Sequence, residues 1–360
     1  MISKTVKMGM IGGGIGSFIG AIHRNAANLD GLISLEAGAL SSNKKRALDS
    51  GTTLGIAPNR IYIDYKTMIT SEANLPLSER LDFISIVTPN HLHFEPAMMA
   101  LDHGFNVVLD KPMTLSLTEA KKLKEKLEQT KLKLCVTYVY SGYPMVKQAK
   151  SMIANNELGT IKKIWVEYPQ DWLSLPIENN GNKQASWRTD PSKSGIAGCM
   201  ADIGTHAAHL AEYLSGLEIT KLCSDLKITV PGRLLDDDGH VLLRFNNGAN
   251  GVLMASQVAT GEVNELKIRI YGEKGSIEWL QTNPNKLMVK WLNKPAEIYL
   301  AGNNYNYQHT AMLENCRTPG GHPEGYIEAF ANLYKNFALT IKAEKLNANV
   351  TNETLDYPDV

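Results

Sequence analysis

Met8-Gly9-Met10-Ile11-Gly12-Gly13-Gly14-Ile15-Gly16-Ser17 closes a first apolar strand and opens a first helix. Glycines at such a turn let the backbone fold tightly and approach a pyrophosphate, whose charge is met by free N–H groups at the helix N-terminus. The match to G-x-G-x-x-G is incomplete: Gly12 and Gly14 fit, and the third position falls on Ser17. A glycine trio alone also occurs in purely structural turns. Its place in the first strand-to-helix turn of an alternating chain favours a nucleotide site made by Gly12, Gly14, Ile15, Gly16 and Ser17.

The alternation continues outward from that turn. Strands are expected at 5–11, 32–40, 60–63, 83–87, 106–109 and 134–138, with helices at 18–28, 43–51, 96–103 and 117–130 between them. Strand–helix–strand repetition predicts an α/β Rossmann domain, a doubly wound parallel sheet with helices on both faces. After a helix near 145–155 strands dominate, at 162–168, 221–229, 240–245, 251–257, 265–271 and 276–280. Polar turns such as Asn246-Asn247-Gly248 separate several of them, which predicts an α+β domain on a large, mostly antiparallel sheet. A last helix is expected from 325 to about 343. The expected division is therefore 1–140, 141–345 and a C-terminal tail at 346–360, with the boundary at Ser141-Gly142-Tyr143-Pro144.

The bulk numbers agree with two domains, because 360 residues exceed one ordinary core. Lys plus Arg equals Asp plus Glu at 37 each, so no net field recruits nucleic acid or an anionic membrane. Cys135, Cys199, Cys223 and Cys316 form no C-x-x-C pair, and no run approaches the roughly 20 apolar residues of a membrane span. The reading is a soluble, cytoplasmic protein with neither nucleic acid nor membrane as partner.

The second strand should end in the residue that reads the adenosine ribose. Here it ends in Leu40-Ser41-Ser42-Asn43, followed by Lys44, Lys45 and Arg46, with no carboxylate at the tip. Ser41, Ser42 and Arg46 suit a 2′-phosphate, which tilts the cofactor from NAD toward NADP. The alternative is a solvated helix start capped by Ser or Asn.

Three further local sequences carry chemistry. Ile86-Val87-Thr88-Pro89-Asn90-His91-Leu92-His93 follows a buried strand, Asp110-Lys111-Pro112 follows the next, and Asp202-Ile203-Gly204-Thr205-His206 lies in the second domain. Ligands in open α/β sheets collect outside the carboxyl ends of strands, where the first two fall. Taken together, in this order and spacing, they resemble the Gfo/Idh/MocA oxidoreductases over nearly the whole chain. Relatives often continue beyond a segment like 355–360 into one more helix.

The resemblance implies that Thr88, Pro89, Asn90, His93, Asp110 and Lys111 belong to the cofactor pocket, His93 lining it or merely capping a helix. Asp110 stands where that family commonly has Glu. It also implies that Lys111, Asp202 and His206 carry the reaction, a hydride transfer between a nicotinamide and a sugar, sugar derivative or cyclitol. An alcohol must lose its hydroxyl proton as hydride leaves carbon, and an imidazole titrating near neutral pH suits that task. Lys111 suits stabilisation of charge on the reacting oxygen; which of Lys111 and His206 moves the proton stays open. Asp202 and His206, four apart on a helical turn, share a face. The reading has an amine from one lobe and an imidazole–carboxylate pair from the other meeting at one substrate.

Trp187 and Arg188 are candidate sugar contacts, a ring face for C–H bonds and a donor for hydroxyls. Tyr138 and Tyr143 are candidates with core packing as the alternative. His206 and His209 lack a third partner at ligand spacing and Asp236-Asp237-Asp238-Gly239 lacks the alternation of a calcium loop, so no metal is expected. Two other functions share the scaffold: an NAD-dependent glycosidase that oxidises transiently, and a non-catalytic ligand sensor. A homodimer or homotetramer paired through the second domain's sheet is expected.

Overall fold

Phe83–Val87 is buried at all five positions, as a strand covered on both faces of a parallel sheet must be. In the computed structural model, which describes residues 5–346, 348 and 355–359, it is the centre of the first of two units. The described residues up to 138 and from 330 onward form one compact unit, and 139–329 form the other.

In chain order the first unit contains β1 (Val6–Gly12), α1 (Phe18–Leu29), β2 (Ile33–Ala39), α2 (Lys44–Thr53), α3 (Tyr65–Ala73), β3 (Phe83–Val87), α4 (Phe94–Asp102), β4 (Asn106–Leu109), α5 (Leu117–Thr130) and β5 (Leu134–Val136). The sheet order is β2-β1-β3-β4-β5, parallel throughout. Helices start where side-chain caps allow: Ser17, Asn43, Asp64 and Ser116 each accept a first-turn N–H. The strand expected at 60–63 is only an isolated Gly38–Ile61 bridge, because Pro58 turns the chain through one 3₁₀ turn at Pro58–Arg60.

The second unit contains α6 (Pro144–Ala154), β6 (Ile161–Pro169), α7 (Lys183–Arg188), α8 (Pro191–Ser194), α9 (Thr205–Ser215), β7 (Ile219–Lys227), β8 (Asp238–Phe245), β9 (Asn250–Ser256), β10 (Lys267–Gly272), β11 (Gly275–Leu280), β12 (Lys286–Trp291), β13 (Glu297–Leu300) and α10 (Thr310–Leu313). The eight strands run in the order β13-β12-β11-β10-β6-β9-β8-β7, and β6–β9 is the one parallel pair. Register separates its faces. Val241, Leu253, Val166, Ile268, Trp279 and Leu287 form a buried cross-strand row. One step along, Cys223, Leu242, Val252, Trp165, Arg269, Glu278, Met288 and Ile298 form a half-exposed row on the opposite face.

α11 (Tyr326–Lys345) begins in the second unit and ends in the first. Residues 330–345, which the strand pattern groups with the second domain, therefore belong with the Rossmann sheet. The cause is aromatic: Phe337 meets Phe83 edge-on at 5.5 Å, and Phe330, Tyr334 and Phe337 are all buried. Part of the expected tail at 346–360 lies outside the described residues. Within the described part, Tyr357 packs edge-on against Phe337, and Val136 N–H donates to Pro358 O at 3.0 Å. No described helix is long and apolar enough to cross a membrane.

Candidate active site

Gly12, Gly13 and Gly16 hold φ near +79°, +72° and +83°, which other residues adopt only with strain. Ser17, where the fingerprint's third glycine was expected, is instead the N-cap of α1, accepting from Gly20 N–H at 3.2 Å. The close-packing role has moved to Gly20: a Cβ there would lie 2.3 Å from Gly13 Cα. Ile15 and Gly16 are exposed, and open space lies where a Cβ on Gly16 would be. This glycine-lined turn at a helix N-terminus with no acid in its first turn fits a dinucleotide pyrophosphate.

At the adenosine end, Asn43 caps α2 by accepting from Arg46 N–H at 3.0 Å, and Ser41 Oγ accepts from Asn43 N–H at 3.1 Å. Those two side chains are used locally, whereas Ser42 and the Arg46 side chain stand exposed.

The turn after β3 is fastened to the turn after β4. Thr88 Oγ1 donates to Leu92 O at 2.9 Å, Pro89 is exposed and Asn90 is buried. The His93 side chain makes no cap hydrogen bond to the first turn of α4. It is wholly buried, with Nδ1 2.8 Å from Pro112 O and Nε2 2.8 Å from Thr88 O, so it is a strut between the two turns. Burial pushes its pKa down, against the pull of Asp110 and the two carbonyls.

Asp110 Oδ1 accepts from Lys111 N–H at 2.9 Å and Thr137 Oγ1 at 3.0 Å, and His23 Nε2 lies 3.9 Å away. Burial alone would raise this carboxyl; the nearby His23 imidazole, with Lys111 and His93, outweighs it and holds it well below the carboxylate range. Lys111 is half-buried beside it. Tyr138 is half-buried and packs against the Rossmann core.

In the second unit the loop before α9 is set by carboxylates. Asp236 accepts from Gly198 N–H at 2.7 Å and Met200 N–H at 2.8 Å, and a Cβ on Gly198 would meet Asp236 O at 2.3 Å. Asp237 accepts from Thr229 N–H, Val230 N–H and Arg233. The Asp236–Asp238 run thus organises backbone, and no group of described residues could hold a metal ion.

The anchored loop feeds a π turn over Met200–Gly204, a widened geometry often found at functional sites. Asp202 lies in it, and Oδ2 accepts from Arg188 Nε at 3.2 Å and Gln257 Nε2 at 2.8 Å. The Arg188 guanidinium lies 4.1 Å over the Trp187 ring and 5.7 Å from that of Trp172. His206, on the first turn of α9, is buried, with the Tyr140 ring edge-on at 4.9 Å and Tyr168 at 6.3 Å. Tyr168 donates to Asn264 Oδ1 at 2.8 Å, which also accepts from Gln170 at 2.6 Å. Tyr143 is core, tilted against Trp279 at 5.3 Å.

Sequence reading missed His23, Gln257, Tyr140, Tyr168 and Asn264. His23 carries a signal that was available: it sits on the Gly20-His23-Ala26-Ala27 stripe of α1, where a polar side chain must find a partner. Gln257 and Asn264 lie at strand ends far from Asp202 and Tyr168 in sequence, so only the sheet register brings them close.

A Rossmann unit with an open glycine turn, joined to an α+β unit carrying a carboxylate and an imidazole on one helix start, defines a dinucleotide-dependent oxidoreductase. The chain belongs to the GFO/IDH/MocA family. The model for the oxidoreductase family, NAD-binding Rossmann fold, matches residues 6–138, and the GFO/IDH/MocA C-terminal domain matches 146–278. It is 31% identical to the uncharacterized oxidoreductase YfiI of Bacillus subtilis, covering 100% of this chain and 91% of that protein. It is 27% identical to levoglucosan dehydrogenase of Pseudarthrobacter phenanthrenivorans over 82% of this chain and 78% of that one. The crystal structure of an inositol dehydrogenase homolog from Azotobacter vinelandii, complexed with NAD+, superposes with a TM-score of 0.93 at 34% identity, covering 99% and 91% of the two chains.

Proposed function

We propose that this enzyme transfers a hydride between a nicotinamide dinucleotide and a hydroxyl or ketone carbon of a sugar, sugar derivative or cyclitol. The observation that carries the reading is Asp202, a carboxylate steadied by Arg188 and Gln257 one helical turn before His206. Acceptors of this kind suit polyhydroxylated substrates, whose hydroxyls need directed partners. The names of two relatives, a levoglucosan dehydrogenase and an inositol dehydrogenase homolog, support the same substrate class.

The glycine turn of residues 12–17 would hold the pyrophosphate, with the Thr88–Asn90 turn and Lys111 at the nicotinamide end. The nicotinamide, when bound, accepts or gives the hydride. Lys111 donates to the reacting oxygen and His206 exchanges its proton, or the two share these tasks; Asp202 accepts from a neighbouring substrate hydroxyl. The absence of an acid after β2, with Ser42 and Arg46 exposed, favours NADP over NAD. Absorbance at the reduced-nicotinamide band, screened over sugars, glycosides and cyclitols with each cofactor, tests the reading. Turnover of none of them with either cofactor overturns it.

The half-exposed row across the eight-stranded sheet, with Leu242 54% and Ile298 56% exposed, favours a homodimer or homotetramer paired through this face. Light scattering of the purified chain measures that directly.

A further inference from the structure

We propose that His23 is a positioning residue, the last link of a buried chain from Ser85 through Tyr334 that holds Asp110 and, through it, the Lys111 turn. Four elements of the first unit meet there: Ser85 on β3, Tyr334 on α11, His23 on α1 and Asp110 after β4. Ser85 Oγ lies 2.8 Å from the Tyr334 hydroxyl, which lies 2.7 Å from His23 Nδ1. Ser85 and His23 are fully buried and Tyr334 is 1% exposed, so bulk water competes with none of these contacts. Phe330 packs edge-on against the imidazole at 4.7 Å and fixes its plane.

One charge sets the direction of the whole chain. An ionised carboxylate only accepts, so every polar neighbour of Asp110 Oδ1 must present a proton. Lys111 N–H and Thr137 Oγ1 do so. His23 Nε2, 3.9 Å from the same oxygen, is beyond a direct hydrogen bond, and the carboxylate's charge favours an N–H dipole facing it over a lone pair. A neutral ring protonated at Nε2 leaves a lone pair on Nδ1, which accepts from the Tyr334 hydroxyl; Tyr334 oxygen then accepts from Ser85. Both hydroxyl donors find acceptors in this arrangement, and the Nε2–H, which has no hydrogen-bond acceptor, turns its positive end toward the carboxylate. A proton on Nδ1 would break it, because the Tyr334 hydroxyl would have to turn its hydrogen to Ser85 and a neutral ring would aim its lone pair at the carboxylate.

The functional consequence rests on the proposed dehydrogenase reading, in which Lys111 contacts the reacting oxygen. Asp110 binds the Lys111 backbone, so loss of His23 lets that turn shift. The test has two arms on the full chain. Nitrogen-15 NMR of the imidazoles should find the His23 proton on Nε2 with Nδ1 as the acceptor; a proton on Nδ1 overturns the proposal. This arm needs no substrate, so it decides the chain of hydrogen bonds even if the enzyme turns over no sugar or cyclitol.

In the kinetic arm, His23→Ala should lower kcat by about 10²-fold while the KM for cofactor stays within about twofold. His23→Gln, whose amide can donate toward Asp110, should recover most of that loss. Tyr334→Phe, which keeps the ring and removes only the hydroxyl, should cost about tenfold in kcat and guards against misfolding of the alanine variant. Unchanged kcat in His23→Ala and Tyr334→Phe, with only a lower melting temperature, overturns the proposal.

Discussion

Arg188 Nε donates to Asp202 Oδ2 across 3.2 Å, and the same guanidinium lies 4.1 Å over the Trp187 ring. The pair joins α7 to the π turn before α9, fourteen residues apart in sequence. Lysine can supply the charge but not the directed Nε–H of a guanidinium. Arg188→Lys should therefore lower kcat/KM for the substrate about tenfold to a hundredfold, the worth of a charge-assisted hydrogen bond. Steady-state kinetics checks this, and wild-type values would show that Asp202 needs no such support.

Lys111 and His206 should fail in the chemical step rather than in binding. Replacing either with Ala should cut kcat by about 10²- to 10⁴-fold, the usual contribution of a positioned acid or base. Cofactor affinity, read by quenching of protein fluorescence, should be nearly unchanged in both. Wild-type turnover in both variants would remove these residues from the mechanism.

Arg46 should distinguish the two dinucleotides. Its exposed side chain follows the cap made by Asn43, just after the strand end proposed to read the adenosine ribose. Arg46→Ala should weaken NADP about tenfold and leave NAD unaffected, in line with one charge-assisted phosphate contact. Calorimetric titration of both cofactors measures it. A strong NAD preference indifferent to Arg46→Ala would overturn the proposed preference for NADP.

Gly20 tests the displaced fingerprint. A Cβ would stand 2.3 Å from Gly13 Cα and 2.5 Å from Gly13 O, backbone atoms that cannot swing aside. Gly20→Ala should destabilise the fold by about 1–3 kcal/mol and weaken dinucleotide binding as the turn is pushed out. Thermal denaturation with and without cofactor reads both effects. Ser17→Gly should cost much less, only a few tenths of a kcal/mol for an N-cap.

Asp110 sets a pH dependence of stability. Its folded-state pKa is depressed, by His23, Lys111 and His93 acting against burial, so the folded state favours the charged form. The resulting stability is present above the unfolded value of about 3.9 and is lost as pH falls through the folded value. The stability difference between the wild type and Asp110→Asn, from denaturant titrations, should stay flat from about pH 5 to 8 and shrink below about pH 4. A difference that widens in acid would mean that Asp110 is strained rather than stabilised.

The sequence by itself determined the kind of fold and which residues are proposed for the chemistry. The glycine turn after one strand, the alternation of strand and helix to residue 138 and the hairpin spacing beyond it are nearest-neighbour properties, written in consecutive residues. Lys111 after β4 and the Asp202–His206 pair were legible for the same reason, since each depends on a few adjacent positions. What supports them was not. Gln257 reaches Asp202 because β9 ends beside the π turn, and Tyr334 reaches His23 because α11 buries its aromatic face on the Rossmann sheet, 311 residues away along the chain. Only the tertiary structure decides such partners, because burial leaves a polar group no acceptor except the one that packing brings to it.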